Sequence, residues 1–291
     1  MKQLINRKYE LTIGEPGKDG KQFTDLNIRF KVEKTGDSAT NKAEIEIYNL
    51  NESNRKFVTK KDLAVTLKAG YDSNFGLIFA GYTTFSHTTK GHSKKDEQVR
   101  RGFEHINHED SDWISVITAD DGLKALKHYI SLSLDDENLT ELKVLREVVK
   151  KLNETVKVAT GVLKGIKDIR INNGYAVSGT FKSVLDKICK NQKLKWQITD
   201  GILNIYPKEQ NLSDEIIKLD SNSGLIGSPE PTEEGYKFTS LLRHDINIGT
   251  LLEVEAELIK GRFIVINLTH NGELDSNQWF TVCECMPQVI R

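Results

Sequence analysis

The chain has 291 residues, enough for one large domain or for two to three small ones with separate cores. Its three cysteines exclude a disulfide-based fold and favour a reducing or redox-indifferent environment. Residues 1–120 carry 19 basic and 18 acidic side chains, 121–205 carry 15 and 10, and 206–291 carry 7 and 14. The regional charges of +1, +5 and −7 indicate separate modules, although solvated charged faces explain such differences too. The acidic last third argues against a surface that grips nucleic acid.

Neither a secretory signal nor a membrane span is predicted. Residues 1–14 carry charges throughout and lack the apolar core of a signal peptide. The apolar run at 263–266 is far shorter than the roughly 18 residues of a membrane helix. We therefore expect a soluble protein without membrane insertion.

The first third alternates apolar and polar residues with a period of two, which is typical of half-buried β-strands. The strands predicted in this way are LNIRFKVEK, KAEIEIYNL and DLAVTLKAGY, followed by a more apolar strand that ends near Gly81. The segment GEPGKDGK at 14–21 lacks the spacing of a phosphate-binding loop and is explained as a β-hairpin turn. Short strands separated by turns predict a small barrel or sandwich.

Residues 86–112 are the most polar stretch and are predicted to form a long exposed loop or hairpin tip, before a strand that ends at Ala119. Histidines and carboxylates cluster there with spacings that metal ligands can have. They are His87, His92, His105, His108, Glu109, Asp110 and Asp112. Because a charged loop lacks the surrounding hydrogen bonds that fix metal ligands, no metal site is predicted.

The middle region changes character to α+β. An apolar stripe over 139–156 predicts an amphipathic helix, with Asn138 and Glu141 as a capping box at its start. The segment TFKSVLDKICKNQ predicts a second helix, and Asp200–Gly201 between two apolar runs predicts a type I′ hairpin. Basic residues line the long helix, but no aromatic row accompanies them, so nucleic-acid binding is not predicted.

From Pro207 onwards the pattern returns to strands, namely LLEVEAELI, GRFIVINLTHNG and WFTVCECM, with Asn271–Gly272 as a turn. Cys283 and Cys285 share one face of a strand and are predicted, like Cys189, to be buried core residues rather than metal ligands.

The stretch GLIGSPEPTEEGYKFTSLL at 224–242 holds two of the five prolines of the chain. Gly227, Pro229 and Pro231 are predicted to stiffen a connection that leads into a strand over Tyr236–Leu242.

No catalytic chemistry emerges from the sequence. Neither GxSxG nor HExxH occurs, and no glycosidase pair can be selected among 42 acidic residues. We predict no catalytic, cofactor-binding or metal-ligating residue, no cofactor, and no enzymatic activity. The predicted fold is mostly β within the α+β class: β-barrel domains at 1–120 and 206–291 flank an α+β module at 121–205.

Taken in order, several segments resemble the baseplate hub proteins of tailed phages. AEIEIYNLNESNR at 43–55, VTLKAGY at 65–71 and LIFAGY at 77–82 resemble the first domain of that family. FKSVLDKICKNQKLKWQITDGILNIYP resembles its helix-and-hairpin module. The stretch at 224–242 with the strands after it is similar to its closing β domain, so the resemblance covers nearly the whole chain.

The resemblance implies a non-enzymatic hub like those of contractile injection machines. Three copies would form a ring, each with two tube-like β domains, between a hexameric tail tube and a central spike. DNA would pass through the lumen without specific binding, and no small-molecule substrate is implied. The expected location is the virion tail baseplate, assembled in the host cytoplasm.

Two structural expectations depend on this ring. Part of the acidic charge of the last region, on Glu253, Glu255 and Glu257, is expected to face the lumen. The two prolines at 229 and 231 are expected to fix the angle of the second tube-like domain, so that replacing both by alanine loosens the ring.

A β-rich module that binds carbohydrate or a cell-surface component is the alternative. Exposed aromatic residues beside a groove would favour it, and the residues to check are Trp113, Trp196 and Trp279. A cell-wall hydrolase is a third class, but no motif supports it.

Overall fold

The computed structural model describes residues 6–36, 40–91, 112–156, 158–172, 174–207, 210–212 and 215–288. Strands dominate this described part, and four helices accompany them. The mostly β, α+β fold class predicted from the sequence is therefore confirmed.

The described residues of the first region form seven strands and one short helix. They are β1 (Arg7–Gly14), β2 (Lys21–Phe23), β3 (Ile28–Thr35), β4 (Lys42–Tyr48), α1 (Glu52–Val58), β5 (Ala64–Tyr71), β6 (Asn74–Lys90) and β7 (Trp113–Asp120). The predicted alternation is realised in β3, where Ile28, Phe30 and Val32 are buried between partly exposed neighbours. The predicted hairpin turn at 14–21 is also confirmed, since β1 and β2 pair antiparallel on either side of it.

The predicted end of β6 near Gly81 is wrong. The strand continues to Lys90 because β7 pairs with its second half, from Tyr82↔Asp120 to Lys90↔Trp113. Ser86–Lys90 therefore belongs to a strand rather than to the predicted polar loop, and 92–111 lies outside the described residues.

The middle region, as far as the structure describes it, forms three helices and five strands. They are α2 (Leu123–Lys127), β8 (Tyr129–Leu134), α3 (Glu141–Val156), β9 (Ala159–Leu163), β10 (Tyr175–Thr180), α4 (Phe181–Asn191), β11 (Leu194–Thr199) and β12 (Ile202–Pro207). The predicted type I′ hairpin is confirmed, because Asp200 and Gly201 have φ angles of 53° and 77° between β11 and β12.

The predicted capping box at Asn138 is wrong. Helix α3 begins at Glu141, and the Thr140 hydroxyl accepts a hydrogen bond from the Lys143 amide at 3.3 Å. Asn138 instead donates its own amide to Asp136 in the preceding turn. Both Asn and Thr can cap a helix, so the sequence alone did not select between them.

In the last region, the residues with described structure form six strands, which are β13 (Ile216–Asp220), β14 (Leu225–Pro231), β15 (Tyr236–Leu241), β16 (Leu251–Glu255), β17 (Lys260–Glu273) and β18 (Trp279–Pro287). The predicted strand at 236–242 is confirmed as β15. Pro229 and Pro231 lie in strand β14 rather than in a connection, so that interpretation is wrong. Proline occurs in sheets chiefly on edge strands, and β14 is an edge strand.

Asn271–Gly272 was predicted as a turn, but it lies inside β17. The chain turns later, where the Glu273 amide donates to the Gln278 carbonyl at 2.7 Å. Gly272 is required by packing instead, since a Cβ atom there would lie 2.0 Å from Cζ of Phe30.

Eight strands form a continuous ribbon in the order β14, β15, β18, β17, β3, β4, β7 and β6. We call this the central ribbon. Strand β5 extends it beyond β6, followed by β1 and β2, while β16 joins β17 and pairs with β13. The strand pairings of the described residues do not close into the two predicted barrels, because β17 pairs with β3 and joins both β regions in one sheet.

Three hydrophobic cores form in the described chain. The first lies within β1 to β7 and also takes in Leu242 and Trp279 from the last region. The second packs α3 and α4 against β11 and β12, and the third lies between β13, β15, β16, β17 and β18. The domain boundaries at 120 and 205 remain a prediction.

A buried polar network attaches the middle region to the first. Lys34 Nζ lies 2.6 Å from Asp200 Oδ2, and the Ala80 amide donates to Asp200 Oδ1 at 3.0 Å. Asn41 donates its amide and its side chain to Asp121, at 2.9 and 2.7 Å. The Asp200 amide completes the network by donating to Asp121 at 3.0 Å. These contacts fix the β11–β12 hairpin against β3 and β6.

Candidate assembly surface

The central ribbon contains the same four-strand arrangement twice. In the half formed by β14, β15, β18 and β17, the long strand is β17, and in the half formed by β3, β4, β7 and β6 it is β6. Each long strand pairs through its first part with a strand outside the ribbon, which is β16 for β17 and β5 for β6. The chain therefore carries two equivalent β units without a repeat in its sequence.

The equivalence extends to the irregularities of the long strands. In β17 the register to β18 shifts between Val265 and Asn267, and in β6 the register to β7 shifts between Thr83 and Phe85. Such bulges bend a strand and end one pairing before the next begins. The second part of β17, from Asn267, thus corresponds to the second part of β6, from Phe85.

The second part of β17 forms the joint between the two units. Asn267–Glu273 pairs antiparallel with the outer edge of β3, from Thr35 to Arg29. Beneath this joint, the Phe30 ring packs edge-to-face on Trp279, with 5.4 Å between the ring centroids. Backbone pairing and buried aromatic contact together make this joint part of the core.

The ribbon has two ends that no described strand covers. At one end, Phe85–Lys90 of β6 lies beyond the reach of β5, whose pairing stops at Tyr82. At the other end, β14 pairs only with β15. Each end exposes an apolar side chain, Phe85 at 62% and Ile226 at 43%. Open edges of this kind are sites where another strand can add.

One face of the ribbon is polar and carries charges of both signs. In the β3–β4 register the opposed pairs are Arg29↔Glu46, Lys31↔Glu44 and Glu33↔Lys42, and in β15–β18 the pair is Lys237↔Glu284. Opposite charges across a strand pair stabilise the sheet by a few tenths to about 1 kcal/mol each. Because positive and negative side chains alternate on this face, it has no large area of positive charge that would hold a polyanion.

The acidic residues expected to line a lumen lie elsewhere. Glu253 and Glu255 are on β16, outside the ribbon, and Glu257 follows in the next turn. Arg262 lies 3.2 Å from Glu253, and Lys260 lies 2.9 Å from Glu255. These cations compensate much of the predicted acidic patch.

The histidine cluster is only partly described. His87 lies on β6, where its ring is 5.4 Å from that of Phe85. Of the other members, Asp112 accepts a hydrogen bond from Asn49, while His92, His105, His108, Glu109 and Asp110 lie outside the described residues. Among the residues that are described, no group of three or more His, Cys, Asp or Glu side chains is placed to hold a metal ion.

The cysteines are buried, as predicted. Burial raises the pKa of both Cys189 and Cys283 to about 12, and it also raises that of Cys285. At neutral pH these thiols are protonated and surrounded by apolar side chains, which is the state of core cysteines.

Two of the three tryptophans are buried, although Trp196 contributes to the wall of a cleft. Trp196 and Trp279 are each 1% exposed, and the indole N–H of Trp196 donates to Asp186 at 2.8 Å. Trp113 is partly exposed, but the Arg55 guanidinium stacks 4.3 Å from its ring centre. The carbohydrate-binding alternative therefore gains no support from these three residues.

A cleft of about 1030 Å³ separates α4 and β11 from the β14–β15 turn and β18. Lys190 and Lys195 line one wall, and Glu233, Glu234 and Glu284 line the other.

In the part of the chain that the structure describes, no helix is long and apolar enough to cross a membrane.

Sequence reasoning missed the two open ends of the ribbon. The segment FSHTTK at 85–90 holds a single apolar residue, so the alternation that marks the earlier strands gave no sign that β6 continues beyond Gly81. The order of the strands had no local signal, since pairing of β17 with β3 joins segments from opposite ends of the chain.

Several solved structures share this fold. The 43 kDa tail protein of prophage MuSo2 from Shewanella oneidensis has a TM-score of 0.62 at 10% identity, over 96% of this chain and 98% of that one. A tail protein from Neisseria meningitidis MC58 has a TM-score of 0.60 at 12% identity, over 95% and 96%. The Escherichia coli c3393 protein, a type VI secretion system component, has a TM-score of 0.59 at 8% identity, over 95% and 77%. At these identities the likeness shows the fold alone.

No curated protein matches the sequence. A family model does match, over residues 126–285, which is more than half of the chain, and its description is baseplate hub gp41. The match includes all but the first five residues of the middle region, and the strands β13 to β17 together with most of β18. The resemblance drawn from the sequence is thereby confirmed: the chain belongs to the baseplate hub gp41 family.

Proposed function

We propose that the protein is the structural hub of a phage baseplate, a homotrimeric ring that joins the tail tube to the central spike. The observation that carries the proposal is the doubled four-strand unit in the central ribbon. Two equivalent units in each of three chains present six units to a hexameric tube, while the chain symmetry remains threefold for a spike.

The polar face of the ribbon supports a passive channel. Its alternating charges offer no cluster of Lys and Arg, and a surface that neutralises many phosphates would hold DNA rather than let it pass. We propose that this face, rather than the Glu253–Glu257 segment, lines the lumen. DNA passes without specific binding, and no small-molecule substrate or cofactor is involved.

The proposed role is mechanical rather than catalytic. Family membership and tail-protein folds among the structural neighbours support it. The site of action is then the baseplate of the virion tail, assembled in the host cytoplasm. We retain the three modules at 1–120, 121–205 and 206–291, with the outer two as the tube-like units and the middle one as an attached module.

Size-exclusion chromatography with light scattering tests the ring. The expected mass is three times the chain mass of 32.9 kDa, and negative-stain images should show a ring with a central hole. Adding tail tube protein should shift the trimer to a larger complex. A chain that stays monomeric at high concentration, with and without tube protein, would contradict the proposal.

A further inference from the structure

The cleft between the middle and last regions has walls of opposite charge. Lys190 and Lys195 lie on the wall formed by α4 and β11, and Glu233 and Glu234 lie on the β14–β15 turn that forms the other. Lys190 and these two glutamates form no ion pair with any other residue that the structure describes. Asp186 lies on the basic wall, but its carboxylate accepts the indole N–H of Trp196 at 2.8 Å. Charges that attract each other therefore face one another across the open cleft.

The acidic wall is held firmly on the last region. Within the β14–β15 turn, the Thr232 amide donates to the Gly235 carbonyl at 2.9 Å, and the Gly235 amide donates to the Thr232 hydroxyl at 3.2 Å. The turn also lies directly on β18, since a Cβ atom at Gly235 would be 2.3 Å from the Cys285 carbonyl oxygen. This wall therefore moves only together with the sheet.

The basic wall belongs to a region that is attached at its far end. Strand β11 runs from Leu194 at the cleft to Thr199, and Asp200 then enters the buried network with Lys34 and Asp121. Six residues of extended strand span about 20 Å. A small rotation about the network therefore moves the cleft end of the middle region much further than its attached end.

We propose that the middle region, residues 121–205, is a movable arm that pivots on this network and closes the cleft onto the β14–β15 turn. The cleft of about 1030 Å³ is the open state of the arm. The inference goes beyond the proposed structural role and does not depend on it, because the movement lies within one chain. In the closed state the arm lies beside β14, so its position changes the surface available at that end of the ribbon.

Two forces favour closure. The arm carries a net charge of +5 and the last region one of −7, so their fields draw the two walls together. The floor of the cleft includes the half-buried apolar side chains of Ile266 and Met286, which closure covers further. Hydration of the lysines and glutamates opposes closure, and exposed ion pairs gain little over that hydration. The balance is therefore close, and screening by salt shifts it towards the open state.

Distances between two spin labels on the full chain test the movement. The labels are attached at Asn191→Cys, beside the basic wall, and Ser228→Cys on β14, both of which are exposed, while the buried native thiols stay unlabelled. Labelled chains are diluted with unlabelled ones so that distances within one chain dominate. Between about 10 mM and about 1 M NaCl the Debye length falls from about 30 Å to about 3 Å. We expect a short-distance population whose ratio to the long-distance population falls about fivefold over this range.

Charge reversal identifies the side chains. Lys190→Glu should remove most of the short-distance population at low salt, and adding Glu233→Lys and Glu234→Lys to it should restore that population. The matched control is Lys150→Glu, which makes the same change of charge in the same region but on α3, away from the cleft. Urea midpoints verify that each variant is folded.

The salt series on the doubly labelled chain, without any charge reversal, is decisive by itself. A single distance that does not change with salt shows a fixed region and overturns the proposal. Equal losses in Lys190→Glu and Lys150→Glu overturn it too, because the effect then reflects net charge rather than the facing walls. Loss in Lys190→Glu alone, with recovery in the triple charge reversal, supports the arm. Light scattering of the same samples records the oligomeric state, and either state leaves this test valid.

Discussion

At the scale of single residues, Gly272 links the two β units. Its lack of a side chain lets the Phe30 ring lie directly on the β17 backbone, where a Cβ atom would come within 2.0 Å of the ring. Phe30 is 2% exposed and packs on Trp279, so it has little room to move away. The glycine is therefore a packing requirement of the joint, and its extended backbone needs no special conformation.

Replacing Gly272 by alanine should lower the free energy of unfolding by about 1 to 3 kcal/mol, the usual cost of overpacking a core. Urea denaturation followed by tryptophan fluorescence measures the change. Gly91→Ala is the matched control, because no atom lies within 4 Å of its added Cβ, and a change within about 0.5 kcal/mol is expected there. Equal midpoints for the two variants would show that Phe30 adapts without cost.

At the scale of elements, the open edge of β14 is restricted by its composition. Pro229 and Pro231 have no backbone N–H, and the register shift between Ile226 and Glu230 bends the strand. Prolines and bulges on an edge strand limit pairing with arbitrary strands. The composition of this edge therefore disfavours pairing with arbitrary strands, and the expectation that the two prolines fix the angle of the second tube-like domain stays a prediction.

Replacing both prolines by alanine should increase assemblies larger than the proposed trimer, because prolines in an edge strand limit its pairing with other strands. Light scattering at equal concentration measures the large species. Pro16→Ala is the control, since Pro16 lies in the exposed β1–β2 turn rather than within a strand. The free energy of unfolding should change by no more than about 1 kcal/mol. A drop in assembly instead would contradict this prediction and support the expectation that the prolines fix the angle of the second tube-like domain.

Local patterns predicted the elements better than their arrangement. Alternation placed β3 and β15 correctly because it records which face of a strand is buried. The turn predicted at Asn271–Gly272 was wrong because the sequence does not distinguish a glycine needed for tertiary packing from one needed for a turn. The order of the strands in the ribbon could not be predicted from local patterns, since the Lys34–Asp200 and β17–β3 contacts join segments that are distant in the sequence.

At the scale of the whole molecule, the first and middle regions meet at one buried network around Asp121. Burial outweighs the hydrogen bonds from Asn41 and Asp200 and raises the pKa of Asp121 from 3.8 to about 7. Between these values the folded chain holds a proton that the unfolded chain has released. Its contribution to stability is thus present at low pH and is lost as the pH rises to about 7.

The stability of wild type relative to Asp121→Asn should therefore fall as the pH rises from 4.5 to 7. The difference in the free energy of unfolding between the two proteins changes by up to about 1.4 kcal/mol per pH unit where Asp121 is protonated only in the folded form. Urea denaturation at several pH values gives both curves, and subtracting them removes all other titrating groups. The exposed Asp62, replaced by asparagine, controls for the loss of a carboxylate. A difference that stays constant across this range would contradict the prediction.

The β17–β3 joint also sets a time order for the nascent chain. His270 pairs with Val32 and follows it by 238 residues. At about 5 to 20 residues per second, the ribosome needs roughly 10 to 50 seconds to make that length. During this interval the outer edge of β3 has no partner, and neighbouring nascent chains can reach it. The first β unit completes its sheet only when nearly all of the chain has been made. Slow or interrupted translation lengthens the interval in which the uncovered β3 edge can misassemble.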